Sequence, residues 1–208
     1  MDKIILLHGI WSVDAFMRPL ARALQHHYDP HIFTYSSVFH SSQRTKDRLV
    51  HTLEDTQASY IVGHSLGGVL ALQTLAEHPY LQKQVKRLVC LGSPLKGSQV
   101  VHKLGSVRGG RRLVGQSFNA LHSGCAPWTG ATEVAVIAGN KAQGLGQLFA
   151  PFVEESDGTV GISETKLDGI VHHCVVPASH SGLLWCPTTA ELTAHFLQQG
   201  FFPNQTPP

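Results

Sequence analysis

Gly63-His64-Ser65-Leu66-Gly67 places a hydroxyl between two glycines. A G-x-S-x-G pattern carries chemistry only when it sits between a strand and a helix. There the turn is sharp, and it lifts the serine above the edge of a sheet. The residues around it supply that setting. Ser59–Val62 (SYIV) is a short apolar, strand-like run. Leu66–His78 repeats apolar residues at helical spacing and stops at Pro79. The start of that helix would put the positive end of its dipole beside Ser65, where an oxyanion would form. The competing reading is an ordinary glycine-rich turn that binds a phosphate or nothing.

A serine hydroxyl is a weak nucleophile without a base. Among the 14 histidines, His180 is the best placed. It follows Ile170–Val176, the last strand-like run, in Pro177-Ala178-Ser179-His180-Ser181-Gly182. His172 and His173 fall within that run, His26, His27 and His78 at helix ends, and His195 within the closing helix; His102 and His122 lie in the long basic segment and stay as outside candidates. The acid that orients the base should come after Glu133–Ala138. Glu154, Glu155, Asp157 and Asp168 are the candidates. Asp157 is favoured because it lies in an Asp-Gly turn, where the backbone can aim its carboxylate. An oxyanion hole needs two backbone N–H groups. Leu66, just after the serine, supplies one. The second comes from the loop His8-Gly9-Ile10-Trp11, with Ile10 the better donor and Trp11 the next. The His8 side chain is expected to brace this loop.

The elements that must hold these residues alternate along the chain. Strand-like runs occur at Lys3–Leu7, His31–Tyr35, Ser59–Val62, Arg87–Leu91, Glu133–Ala138 and Ile170–Val176. Most are apolar throughout, as expected of strands buried on both faces. Helical patterns occur at Arg18–His27, Arg44–Thr56 with Ser42 as N-cap, Leu66–His78 and Thr188–Gln199. This order predicts an α/β fold with a doubly wound, mainly parallel six-stranded sheet flanked by helices. Ligands then bind at the carboxyl ends of the strands. One domain is expected over residues 1–200. Two long connections break the rhythm. Gly97–Gly130 has short helices expected at Gln99–Leu104 and Gln116–His122 and reads as a lid or substrate wall; Asn140–Ser156 is the other. The tail, residues 201–208, is expected to fray.

Composition narrows the classes. The chain has 208 residues, 42 % hydrophobic and 14 % charged, which is a globular composition. No apolar run approaches the length of a bilayer span. Met1-Asp2-Lys3-Ile4-Ile5-Leu6-Leu7 reads as a strand and not as a signal peptide, so a cytoplasmic location is expected. The cysteines lack metal spacing, and no cofactor or metal is called for. Net charge is +2, but its distribution is uneven. Between His78 and Thr132 there is no acid, against the cations Lys83, Lys86, Arg87, Lys96, Lys103, Arg108, Arg111 and Arg112. That segment suits an anionic substrate group or lipid headgroups, or is a solvated face. It lacks any motif that reads nucleic acid.

Five stretches together carry a family resemblance: "LLHGIW", "IVGHSLGGVLAL", "LGSPLKGS", "SDGTV" and the late Ser179-His180. From Lys3 to about Gln199 the chain resembles small bacterial lipases and esterases of the α/β-hydrolase family, in the reduced form that lacks the first two strands. The resemblance implies a nucleophile at Ser65, an acid at Asp157, a base at His180 and oxyanion donors at Ile10 and Leu66. It implies the spatial order second, first, third for the first three strands. "GSPLKGS" is similar to a lipase segment G-[ST]-P-H-x-G-S, but Leu95 stands in place of that histidine, whose role does not carry over. The implied substrate is a small-molecule ester, lipid-like or anionic. Trp11, Leu95, Phe118 and Leu183 are candidates to line its site. Thioesterases, acyltransferases, amidases and lyases share the machinery, so the family fixes the substrate less well than the chemistry. A binding protein with an inert triad is the remaining alternative.

Overall fold

A computed structural model describes residues 1–142 and 154–203. Most of the Asn140–Ser156 connection and the end of the tail lie outside the described residues. The six strands are β1 (Lys3–Leu7), β2 (Asp29–Phe33), β3 (Tyr60–His64), β4 (Arg87–Leu91), β5 (Glu133–Gly139) and β6 (His172–Val176). They form one sheet in the order β2-β1-β3-β4-β5-β6, and every neighbouring pair is parallel. The expected order of the first three strands is therefore observed. The helices are α1 (Arg18–Leu24), α2 (Ser42–Thr56), α3 (Leu66–Glu77), α4 (Gln99–Ser106), α5 (Gly110–Val114), α6 (Phe118–Ser123), α7 (Ile162–Thr165) and α8 (Pro187–Gln199).

The all-apolar strands divide by the two-residue pleat. Ile5, Leu7, Ile61, Leu88, Cys90 and Val136 face one core, covered by Leu49 and Leu53 of α2, Val69 and Leu72 of α3, and the α4–α6 segment. Ile4, Leu6, Val62, Val89, Leu91 and Ile137 face the other, covered by Leu20 and Leu24 of α1 and Phe196 and Leu197 of α8. Continuous apolar strands thus require helices on both faces.

The edges differ from the sequence reading. β2 starts at Asp29 and ends at Phe33, two residues earlier than expected. As an edge strand it pairs only with β1, so it can carry Pro30, which has no N–H to donate. β6 begins at His172 and is only partly buried, with Val175 exposed. The N-cap of α2 is Ser41, whose hydroxyl accepts from the Arg44 N–H at 3.2 Å; Ser42 is the first helical residue. In the wall segment α4 extends to Ser106, α5 is an additional helix, and α6 runs from Phe118 to Ser123.

The helix that follows the serine sits unusually close to the sheet because of glycines. A Cβ on Gly63 would lie 2.3 Å from the Gly68 nitrogen, and one on Gly67 would lie 2.5 Å from the Leu7 carbonyl oxygen. Both contacts are with backbone, which cannot swing aside. Gly63→Ala should therefore destabilise the protein by about 3 kcal/mol or more, read from the midpoint of urea unfolding. A change below roughly 0.5 kcal/mol would mean that the β3–α3 junction is not tightly packed.

Candidate active site

Ser65 joins β3 to α3 with φ 55° and ψ −121°, a positive φ that is rare for a residue with a side chain. Its N–H donates to the Leu91 carbonyl of β4 at 2.8 Å, and its own carbonyl accepts from the Gly68 N–H at 3.1 Å. The side chain stands at the carboxyl end of the sheet. A Cβ on Gly9 would come within 3.4 Å of Ser65 Oγ, so the loop after β1 touches the serine. Leu66 opens α3, and the N–H of a first helical residue has no acceptor within its helix.

The loop after β1 is braced by His8 and Tyr35. Their rings stack at 4.2 Å, the Tyr35 hydroxyl donates to the His8 carbonyl at 2.6 Å, and the His8 ring nitrogens lie 2.8 Å from the Gly9 oxygen and 3.1 Å from the Tyr35 oxygen. Burial lowers the pKa of His8, opposed by those two backbone contacts. The bracing expected of His8 is thus what the geometry contains. The Trp11 N–H donates to Ser37 Oγ at 3.2 Å. The Trp11 N–H, the second expected donor of this loop, is thus engaged by Ser37.

Asp157 and His180 meet directly. His180 Nδ1 lies 2.7 Å from Asp157 Oδ2, and the His180 N–H donates to the Asp157 carbonyl at 2.9 Å. Asp157 is 1 % exposed. Its other oxygen, Oδ1, accepts from the Thr159 and Val160 N–H groups at 2.9 and 2.8 Å. Both carboxylate oxygens are therefore satisfied, which is what a buried carboxylate needs. A Cβ on Gly92 would lie 2.9 Å from Asp157 Oδ2 and 3.3 Å from His180 Nδ1, so the turn after β4 packs against the pair. The other acids lie elsewhere. Glu154 accepts from the Ser163 N–H at 3.2 Å, and Asp168 faces Lys96 at 3.5 Å.

Two residues of this region went unread in the sequence. His64, the variable residue of the G-x-S-x-G pattern, has its Nε2 at 2.9 Å from the His180 carbonyl, with the two rings 4.7 Å apart. It links the serine turn to the histidine loop. A carbonyl only accepts, so Nε2 carries the proton. Among the described residues, His64 Nδ1 is buried without a hydrogen-bond partner. Burial pushes the pKa of His64 down to about 3, with the neighbouring His180 acting in the same direction. Glu164 is also buried. It accepts from the Gly161 N–H at 2.5 Å and from the Gln99 N–H, so it ties the Asp157 turn to the start of α4. Its desolvation raises its pKa to about 7. The contact with Gly161 is a local helix-start contact, three residues back, whereas the contact with Gln99 joins residues 65 apart and leaves no spacing signal.

The four expected lining residues are spread out. Leu95 and Leu183 are fully buried, and Leu183 packs beside the turn at Gly92. Trp11 is 52 % exposed, and its indole N–H donates to the Leu113 carbonyl at 2.8 Å. Phe118 lies under the Arg111 guanidinium in the α4–α6 segment. A cavity of about 670 Å³ between α2, α3 and residues 119–130 is lined by none of these four and by no member of the Ser65–Asp157–His180 group.

His64 has a direct consequence for stability. Its pKa is about 3 when folded against 6.5 when exposed, so the unfolded chain binds more protons between these values. The stability it permits is complete above about pH 6.5 and is lost as pH falls toward 3. Between pH 7 and pH 5 the wild type should lose about 2 kcal/mol relative to His64→Gln, measured by urea unfolding at both values. Parallel curves for the two proteins would contradict the buried neutral imidazole.

The α/β-hydrolase family model "Abhydrolase_6: Alpha/beta hydrolase family" matches residues 4–161. No curated protein matches the sequence. Among solved structures, the mature lipase BlEst2 of Bacillus licheniformis superposes with a TM-score of 0.74 at 17 % identity, over 95 % of this chain and 91 % of that one. The metagenomic carboxyl esterase MGS0156 gives 0.73 at 14 % identity, over 96 % of this chain and 76 % of that one. The NocB thioesterase domain, bound covalently to a fluorophosphonate nocardicin G analog, gives 0.64 at 18 % identity, over 95 % of each chain. At such identities these likenesses speak for the fold. With the family model spanning most of the sequence, the parallel sheet and the strand–serine–helix turn, the chain belongs to the α/β-hydrolase family.

Proposed function

We propose that this protein is a serine hydrolase of carboxylic esters that works through an acyl-enzyme and needs no cofactor. The observation that carries this reading is the buried Asp157–His180 hydrogen bond on the same sheet edge as Ser65 in its positive-φ turn. His180 Nδ1 is committed to Asp157, so Nε2 is the nitrogen left for the serine. Ser65 Oγ attacks the acyl carbon as its proton passes to His180. Asp157 holds the imidazole in one tautomer and stabilises the imidazolium that forms. The Ile10 and Leu66 N–H groups receive the tetrahedral oxyanion. The C–O bond to the alcohol then breaks, and His180 returns the proton to the leaving oxygen. Water repeats the sequence on the acyl-enzyme and releases the acid and free Ser65.

Residues 97–130 act as the substrate wall in this reading, with Trp11, Leu95, Phe118 and Leu183 shaping its apolar side. The structural likeness to a thioesterase domain favours one second reading, in which the same acyl-enzyme forms from a thioester. Equal-chain ester and thioester substrates compared by kcat/KM separate the two. A preference for the thioester by more than tenfold would replace the ester reading.

Ser65→Ala should remove turnover of p-nitrophenyl esters to the background of the uncatalysed reaction. Asp157→Asn should lower kcat by roughly 10³- to 10⁴-fold with little change in KM, because the wrong imidazole tautomer is then held. Wild-type rates in either variant would remove the corresponding residue from the mechanism.

A further inference from the structure

The acid-free segment folds its cations around one groove. A cavity of about 310 Å³ lies between α4, α5 and α6 and is lined by His102, Lys103, Gly105, Ser106, Arg111, Phe118 and His122. Phe118 is buried and forms its platform. The Arg111 guanidinium lies over the Phe118 ring, 4.6 Å from its centre, and the His122 ring stacks on Phe118 at 5.2 Å. The His102 ring is 3.9 Å from that of His122. Seating on an aromatic face fixes the plane of a guanidinium and leaves its N–H fork to point outward. Among the described residues no carboxylate lines the groove, and the sequence holds no acid from Pro79 to Ala131. Among the described residues, neither Lys103 nor Arg111 takes part in an ion pair; the ion pairs there involve Lys46, His51, Arg87, Lys96 and His180.

We propose that this groove binds a phosphoryl group. A guanidinium fork, an ammonium and two imidazoles give several donors around one cavity. That suits an anion with several acceptor oxygens better than a carboxylate with two. The cavity exceeds what a single phosphoryl group fills, so it admits part of the group to which the phosphate is esterified. A hydrogen bond joins the groove's segment to the loop after β1. Leu113, two residues from Arg111 on α5, accepts the hydrogen bond from the Trp11 indole, and Trp11 follows Ile10 in the loop after β1. The proposal does not depend on Ser65 being a nucleophile.

The imidazole C–H resonances of His102 and His122, assigned with His102→Gln and His122→Gln, report on the groove directly. Inorganic phosphate added to the full chain at constant ionic strength should shift both resonances saturably, with Kd below ~10 mM. Arg111→Gln, which changes an exposed side chain, should weaken this by about tenfold, the size expected when a charged hydrogen-bonding partner is lost. Resonances that do not move, or that move equally in Arg111→Gln, would overturn the proposal. Co-sedimentation with phosphatidic acid and phosphatidylcholine vesicles then separates the sources. Phosphatidic acid binding that Arg111→Gln abolishes identifies a lipid headgroup. A phosphate response without vesicle binding identifies a soluble phosphoester or free phosphate.

Discussion

The site rests on one backbone turn. Ser65 occupies a positive φ that costs on the order of 1–3 kcal/mol for a residue with a side chain, so the surroundings must hold it there. They do so with hydrogen bonds from β4 and from within α3, and by removing every Cβ where helix and strand would collide. Gly63 and Gly67 let α3 press onto β3 and β1, and Gly68 makes room for Ser93 after β4. Gly9 lets the first loop reach the serine, and Gly92 makes room beside Asp157 and His180. The same close approach that strains the serine brings a helix N-terminus and a neighbouring loop to one point. Stored strain and a ready site for negative charge are two results of one packing arrangement.

Burial does the rest of the electrostatic work. Asp157 is out of water, but both its oxygens are hydrogen-bonded, one of them to His180. His64 is also buried but, among the described residues, has an acceptor on one nitrogen only, and it stays neutral. A neutral His64 next to His180 avoids a second positive charge where an imidazolium must form during the proposed reaction. Glu164 ties the Asp157 turn to the start of α4 through the Gly161 and Gln99 N–H groups, and so joins it to the segment proposed as the substrate wall.

Much of this was legible in the sequence, for reasons that are local. Central strands such as Tyr60–His64 are apolar on both faces, and glycines around Ser65 announce close packing, so β3, the serine turn and α3 could be read directly. The Asp-Gly turn and the histidine beyond the last strand followed from chain order. Edge strands were less legible. β2 is shifted because pairing with β1 begins at Asp29, across Pro30, and propensity does not encode that register. α5 went unread because Gly109, Gly110 and Gly115 hide a five-residue helix whose stability comes from tertiary contacts. His64 and Glu164 were missed because their roles depend on backbone partners that only the fold brings near.

The central claim is that this turn activates Ser65. Incubation of the full chain with a fluorophosphonate, followed by intact-mass and peptide mass spectrometry, tests it most directly. The account predicts one adduct per chain, on Ser65, with labelling lost in Ser65→Ala and strongly slowed in His180→Gln. An unlabelled wild-type protein, or an adduct on a different residue, would contradict it.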